Sequence, residues 1–315
     1  MKIIIITLSL ITSFFCFAQQ SDFSEKKINI PSEKVTVNGT LMMPKSENNV
    51  PLVIIIPGSG TVDRNGGAGN YLKQLAEGLL KNNIATYRYD KSSIVLSKKE
   101  GLKEGDISFD DFINDAITVI DYFKDKEQFS SIIVAGHSQG SLVGMVAGQL
   151  RIDGFISLAG AGRTIDKILI EQVTAQSPQF KNDMEKTFEI IKSGKIDENF
   201  NPLLISVFRK SLQPFWASWI KYNPQEEIKK MKVPILIVNG TKDIQIPVSD
   251  AELLHKADEA SELLIVENMN HIFKEVKSDD RLENIGTYTN ADLGIKQELV
   301  TGMVEFINKV AEIKK

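Results

Sequence analysis

The chain has 315 residues, a formal net charge of −4, three histidines and one cysteine. The mild acidity gives no electrostatic footprint for nucleic acid. A single cysteine excludes a disulfide framework, and three histidines without His-x-His or His-Glu-x-x-His spacing argue against a metal site, so no cofactor is expected.

Residues 1–18 read as a secretory signal peptide. Met1-Lys2 is a basic tip, Ile3 to Phe17 is almost wholly apolar, and Ala18 is a small residue before Gln19. The polar flanks are too short for a convincing membrane span. Lipoprotein processing at Cys16 would want a small residue before it, and Phe15 is bulky. A retained anchor is the alternative. Cleavage after Ala18 removes Lys2 and Cys16 and leaves residues 19–315, enough for one large α/β domain with a sizeable core. The expected location is the periplasm or the outside of the cell, with no stable membrane span after processing.

Ser21 to Lys27 is polar and reads as a loose lead-in. Lys34 to Met43 alternates around Asn38-Gly39, the signature of a hairpin. Pro51 to Ile56 is a continuous apolar run, as for a central parallel strand, ended by Pro57-Gly58-Ser59-Gly60. The spacing of Leu72, Leu75, Ala76, Leu79 and Leu80 predicts a helix, stopped by Asn82-Asn83. Ile84 to Tyr89 reads as the next strand, and Asp110 to Phe123 as an amphipathic helix.

The apolar run Ser131 to Ala135 leads into Gly136-His137-Ser138-Gln139-Gly140, and Ser141 to Ala147 continues as a helix. The bare G-x-S-x-G pattern is weak, but strand before and helix after strengthen it. Glycine on both sides lets the backbone turn sharply with Ser138 at its tip. The amide of Gln139 then sits at a helix N-terminus, where developing negative charge is favoured.

Phe155 to Leu158 is a further strand. From Arg163 to about Asn223 the pattern is helical with no clear strand, which reads as a helical insertion (about 163–223) over the sheet's C-terminal edge. Its aromatic stretch Gln213 to Trp219 either packs the insertion onto the body or lines a substrate pocket. Pro234 to Val238 and Leu263 to Val266 are two more strands, and Gly294 to Ile313 a final helix. Strands alternating with helices argue for a mostly parallel sheet covered on both faces.

A serine hydroxyl needs a base and a group that orients that base. His137 neighbours Ser138 but points away from it in such a turn. His255 falls in a polar helical stretch. His271 follows the Leu263 strand in a loop at a strand's C-terminal end, where catalytic groups gather in these sheets. The orienting acid is expected after the preceding strand. Asp243 stands there, and Asp250 competes but reads as an early helix residue where a carboxylate helps the dipole. The order Ser138, Asp243, His271 is that of one hydrolase architecture. The oxyanion donors are expected to be the amides of Ser59 and Gln139.

The chain resembles an α/β-hydrolase and, within that superfamily, bacterial carboxylesterases related to dienelactone hydrolases and serine aminopeptidases. The segments that carry this are Ile56 to Gly60 with Asp63-Arg64-Asn65-Gly66, Tyr89-Asp90-Lys91, Gly136 to Gly140, Asn239 to Asp243 with Ile246-Pro247, and Asn270-His271. The resemblance implies Ser138 as nucleophile, Asp243 as acid, His271 as base, and a helical cap between the sixth and seventh core strands. Relatives commonly read Tyr-Asp-Lys-Arg-Gly where this chain has Ser92-Ser93 after Lys91. Asp63, Arg64 and Asp90 either brace the oxyanion loop or are ordinary surface charge.

The function expected is hydrolysis of a small-molecule carboxylic ester through an acyl-enzyme. An aminopeptidase would share the triad and need acidic side chains for a free amine, for which Glu171, Glu185, Glu189 and Glu198 are available. A non-catalytic binding protein on the same scaffold is the third possibility.

Overall fold

The computed structural model describes residues 23–45, 49–60, 62–96 and 103–314. Residues 1–18, which the sequence reading takes as a signal peptide, and with them Cys16, lie outside the described residues. The strands are β1 (Phe23–Pro31), β2 (Thr36–Pro44), β3 (Val50–Ile56), β4 (Ala85–Tyr89), β5 (Phe129–His137), β6 (Gly154–Leu158), β7 (Ile235–Gly240) and β8 (Glu262–Val266). They form one sheet in the order β1-β2-β4-β3-β5-β6-β7-β8. β1 and β2 pair antiparallel, β2 pairs antiparallel with β4, and the rest is parallel.

The helices before β6 are α1 (Tyr71–Leu80), α2 (Ser92–Leu96), α3 (Phe109–Phe123) and α4 (Gln139–Ala147). Between β6 and β7 come α5 (Ile165–Thr174), α6 (Lys181–Lys192), α7 (Ile205–Phe208), α8 (Gln213–Ile220) and α9 (Pro224–Lys230). The chain closes with α10 (Val248–Ala257), α11 (Arg281–Gly286) and α12 (Gln297–Ile313). No helix among the described residues is long and apolar enough to cross a membrane.

The period of a strand explains why β3 is apolar throughout. Leu52, Ile54 and Ile56 enter one core with Phe112, Ala116 and Ile120 of α3 and Leu142 of α4. Val53 and Ile55 enter the other, with Leu72, Leu75 and Leu79 of α1 and Leu299, Met303 and Ile307 of α12. A strand covered on both faces has no polar side to show. The capping box at Ser108 starts α3: its hydroxyl accepts from the Asp110 amide at 3.2 Å and its own amide donates to Asp111 at 2.9 Å.

Two N-terminal expectations are corrected. Phe23 to Lys27 is not a loose lead-in but part of β1, whose exposed polar side chains hang from backbone paired to β2. The hairpin turns at Ser32–Val35, closed by the Ser32 amide on the Val35 carbonyl at 2.8 Å, and Asn38-Gly39 lies inside β2. Gly39 is there for space: a Cβ would sit 2.0 Å from the hydroxyl of Tyr87 on the neighbouring strand.

The segment between β6 and β7 has a small core of its own, built from Met184, Phe188, Ile191, Leu204 and Phe208. Buried Gln213 ties it together, accepting from the Asp197 amide at 2.7 Å and donating to the carbonyls of Asp197 and Phe208. Trp219 joins it to the body by stacking on Phe109 of α3, ring centroids 5.1 Å apart.

Candidate active site

Ser138 joins β5 to α4 with φ 52° and ψ −118°, a backbone shape that costs a non-glycine residue about 1–3 kcal/mol. Packing enforces it. A Cβ on Gly136 would lie 2.2 Å from the Gly140 carbonyl oxygen, and one on Gly140 would lie 2.5 Å from the Ile56 carbonyl oxygen. The Ser138 amide donates to the Leu158 carbonyl of β6 at 2.8 Å. Strand, turn and helix are thus pressed together until the serine side chain is left at the edge of a cavity.

His271 lies in the loop after β8, almost fully buried. Its Nδ1 lies 2.8 Å from Oδ2 of Asp243, in the loop after β7. The Asp243 side chain is wholly buried, and its Oδ1 accepts from the amides of Gln245 at 2.8 Å and Ile246 at 2.9 Å. With Nδ1–H given to the carboxylate, Nε2 is free to accept a proton. Ser138 and His271 line one cavity together with Gly58, Ser59, Tyr71, Gln245 and Tyr288. A second cavity at Ser138 is lined by Ser59, Gln139, Leu142, Ile165, Ile168, Leu169, Trp216 and Trp219 among others. Ser138, Asp243, His271, Ser59 and Gln139 therefore meet at the C-terminal ends of β3, β5, β7 and β8.

The competing residues sit elsewhere. Asp250 is fully buried in α10 and faces inward, not toward solvent at the helix start: it accepts from the Gly162 amide at 2.9 Å and from Arg163 Nη2 at 2.6 Å. His255, half-buried near the end of α10, has its Nδ1 2.9 Å from the Ser261 hydroxyl in the turn before β8. The aromatics of α8 pack the segment onto the body and also wall a cavity. Trp219 packs on Phe109, and Trp216 and Trp219 also line the Ser138 cavity.

Sequence reasoning set His137 aside as a base and missed what it does. Its Nε2 donates to the His271 carbonyl at 2.9 Å, and its Nδ1 accepts from the Tyr71 hydroxyl at 3.1 Å. A carbonyl can only accept, which fixes the tautomer. Burial pushes the His137 pKa well below the ordinary histidine value, so the ring is neutral. The histidine beside the serine holds the backbone of the other histidine.

The loop after β3 is braced by charge. The Arg64 guanidinium grips the Asp90 carboxylate from Nε at 3.1 Å and Nη2 at 2.5 Å, and the Arg64 amide adds a bond at 2.8 Å. Asp63 works inside the loop, accepting from the Asn65 and Gly67 amides. Where relatives carry Arg-Gly, Ser92 opens α2, its amide donating to Asp115 at 3.1 Å. Among the described residues no cluster of three or more His, Cys, Asp or Glu is arranged to hold a metal ion.

The family model for serine aminopeptidase S33 matches residues 52–197. Esterase EstD of Thermotoga maritima is 23% identical over 274 residues, covering 81% of this chain and 61% of that protein. The chain thus spans about three fifths of the length of this curated relative. Among solved structures, Est1E from Butyrivibrio proteoclasticus, also solved with ferulic acid bound, superposes with TM-score 0.57 at 21% identity, over 90% of this chain and 99% of its own. The α/β hydrolase GrgF from Penicillium superposes with TM-score 0.59 at 14% identity, over 92% and 99%. The chain has the α/β-hydrolase fold.

Proposed function

We propose that this α/β-hydrolase-fold chain is a serine carboxylesterase that works through an acyl-enzyme. The observation that carries the reading is a serine strained onto a turn tip, sharing a cavity with a histidine whose far nitrogen lies 2.8 Å from a buried aspartate. Similarity to proteins named esterases agrees with it.

In this reading the Ser138 hydroxyl attacks the acyl carbon while Nε2 of His271 takes its proton. Asp243 keeps the imidazole in the required tautomer and stabilises the imidazolium. The amides of Ser59 and Gln139 hold the carbonyl oxygen as it gains charge. The imidazolium then protonates the alcohol as the C–O bond breaks, and His271 next activates water to release the acid.

This chemistry orients the substrate. The leaving oxygen must reach His271, so the alcohol belongs in the cavity of His271, Tyr71 and Tyr288. The acyl group then belongs in the cavity walled by Leu142, Ile165, Ile168, Leu169, Trp216 and Trp219, which suits an apolar chain or ring.

The name of the matching family favours an aminopeptidase as the second reading. Against it, neither cavity at Ser138 has an Asp or Glu among its described lining residues. Three of the four candidate acids are engaged: Glu171 with Arg163, Glu189 with Lys192 and Glu198 with Lys210. A ladder of p-nitrophenyl esters from acetate to laurate, run beside aminoacyl-p-nitroanilides and repeated with Ser138→Ala, separates the two. Ester turnover that vanishes in the variant is expected. Anilide turnover would move the answer to a peptidase, and silence on both in folded protein would leave a narrow substrate outside the ladder or a binding scaffold. Export is proposed from residues 1–18, and a mature protein beginning at Gln19 is the expected result of N-terminal sequencing.

A further inference from the structure

Lys91 is a buried lysine that the chemistry above leaves unused. It follows β4, is 3% exposed, and has no carboxylate partner among the described residues. Its Nζ donates to the Gly58 carbonyl and, at 3.2 Å, to Oε1 of Gln139, and it lies 5.2 Å from the ring centroid of Phe112. Removing an ammonium from water without a counter-ion is costly, and neutral acceptors offset only part of that.

The two residues that Lys91 holds are Gln139, which carries one proposed oxyanion donor, and Gly58, whose carbonyl shares a peptide unit with the other. That unit is planar and trans, so the Gly58 carbonyl and the Ser59 N–H point in opposite directions. A tether on the carbonyl fixes where the N–H points. A hydrogen bond from a donor such as ammonium also polarises the peptide and strengthens the N–H at its other end.

We propose that Lys91 is a positioning residue of the oxyanion hole: it pins the Gly58 carbonyl and the Gln139 side chain and so aims the Ser59 amide into the cavity of Ser138. It touches no reacting atom. The inference rests on the esterase reading and adds a specific source of preorganisation to it.

The test compares wild type, Lys91→Met and Lys91→Arg on a p-nitrophenyl ester and on an alkyl trifluoromethyl ketone. Ser138 adds to the ketone carbon, its proton goes to His271, and the carbonyl oxygen becomes an oxyanion, so ketone affinity reads the hole directly. Lys91→Met is expected to lower kcat about tenfold to hundredfold with KM within about twofold, and to weaken the ketone by the same factor. Lys91→Arg, which keeps charge and donors, is expected to lose less. A folded Lys91→Met with unchanged kcat, a loss carried by KM alone, or ketone affinity that stays while kcat falls would overturn the proposal. If Lys91→Met does not fold, Lys91→Gln carries the same comparison. Failure of both to fold would assign Lys91 to the fold alone and overturn it too. A wild type inert to ester and ketone overturns the esterase reading itself, which is a different result from an active enzyme indifferent to Lys91.

Discussion

Ser138 and Ser59 face the same cavity, yet they are held there by different means. The turn at Ser138 is fixed by backbone against backbone: β5, α4 and the end of β3 approach so closely that Gly136 and Gly140 have no room for a Cβ. The loop at Ser59 is fixed by side chains 26 and 33 residues away in sequence: Asp90 on Arg64, and Lys91 on Gly58 while also holding Gln139. The first device is local and needs only small residues in a short motif. The second is tertiary and exists only when β4 has docked beside β3.

The largest expected effects come from the local device. Ser138→Ala should lower ester kcat by at least about 10⁴-fold, and Asp243→Asn by about 10³–10⁴-fold through loss of the correct His271 tautomer. In both variants the thermal midpoint should move little compared with Gly140→Ala, whose Cβ would meet the Ile56 carbonyl oxygen at 2.5 Å. That substitution should cost about 3 kcal/mol or more and remove activity together with the fold. Circular dichroism melts run beside the kinetics check the difference.

Breaking the tertiary device should be milder and differently distributed. Arg64→Met leaves the Asp90 carboxylate, with a side chain only 17% exposed, without its guanidinium. We expect about 2 kcal/mol of destabilisation. The loop at Ser59 should loosen, with kcat down about tenfold and KM nearly unchanged. A kcat equal to wild type would reduce the Arg64–Asp90 pair to a structural clamp with no bearing on the site.

The same contrast explains what could be read in advance. The parallel strands, the Ser138 turn and the loops bearing Asp243 and His271 follow from period, punctuation and strand-end position, all of which are local signals. The edge hairpin was misread because Asn38-Gly39 has the chemistry of a turn, whereas Gly39 answers to Tyr87 on another strand. His137 has no local signal for its role, because its bond to the His271 carbonyl spans 134 residues. Lys91 belongs to the Tyr89-Asp90-Lys91 tripeptide, but no local signal marks it as buried. A buried lysine is invisible in sequence because lysine is nearly always exposed.

The smallest expected effect gives the sharpest view of that lysine, because pH should move stability and catalysis in opposite directions. Burial pushes the Lys91 pKa from 10.5 down to about 7. Between those values the unfolded chain binds the extra proton, so stability rises with pH across the window, and the penalty of the buried ammonium is complete only below about pH 7. Lys91 alone should add about 2 kcal/mol between pH 7 and pH 9. Catalysis runs the other way, since a neutral amine polarises the Gly58 peptide less, and kcat should fall a few-fold over the same range. Of the groups facing Lys91, Phe112 carries no charge, His137 is held neutral by burial, and Glu104 and Arg209 in the neighbouring cavity neutralise each other. Lys274 is also pushed down by burial, to about 8, and adds stability of the same sign. The quantity to measure is therefore the difference between wild type and Lys91→Met in denaturant stability and kcat at pH 6, 7, 8 and 9. Wild-type stability that gains on the variant as pH rises, while its kcat advantage shrinks, is the expected pattern. Parallel curves would mean that the ammonium charge plays no part and that Lys91 acts only through its hydrogen bonds.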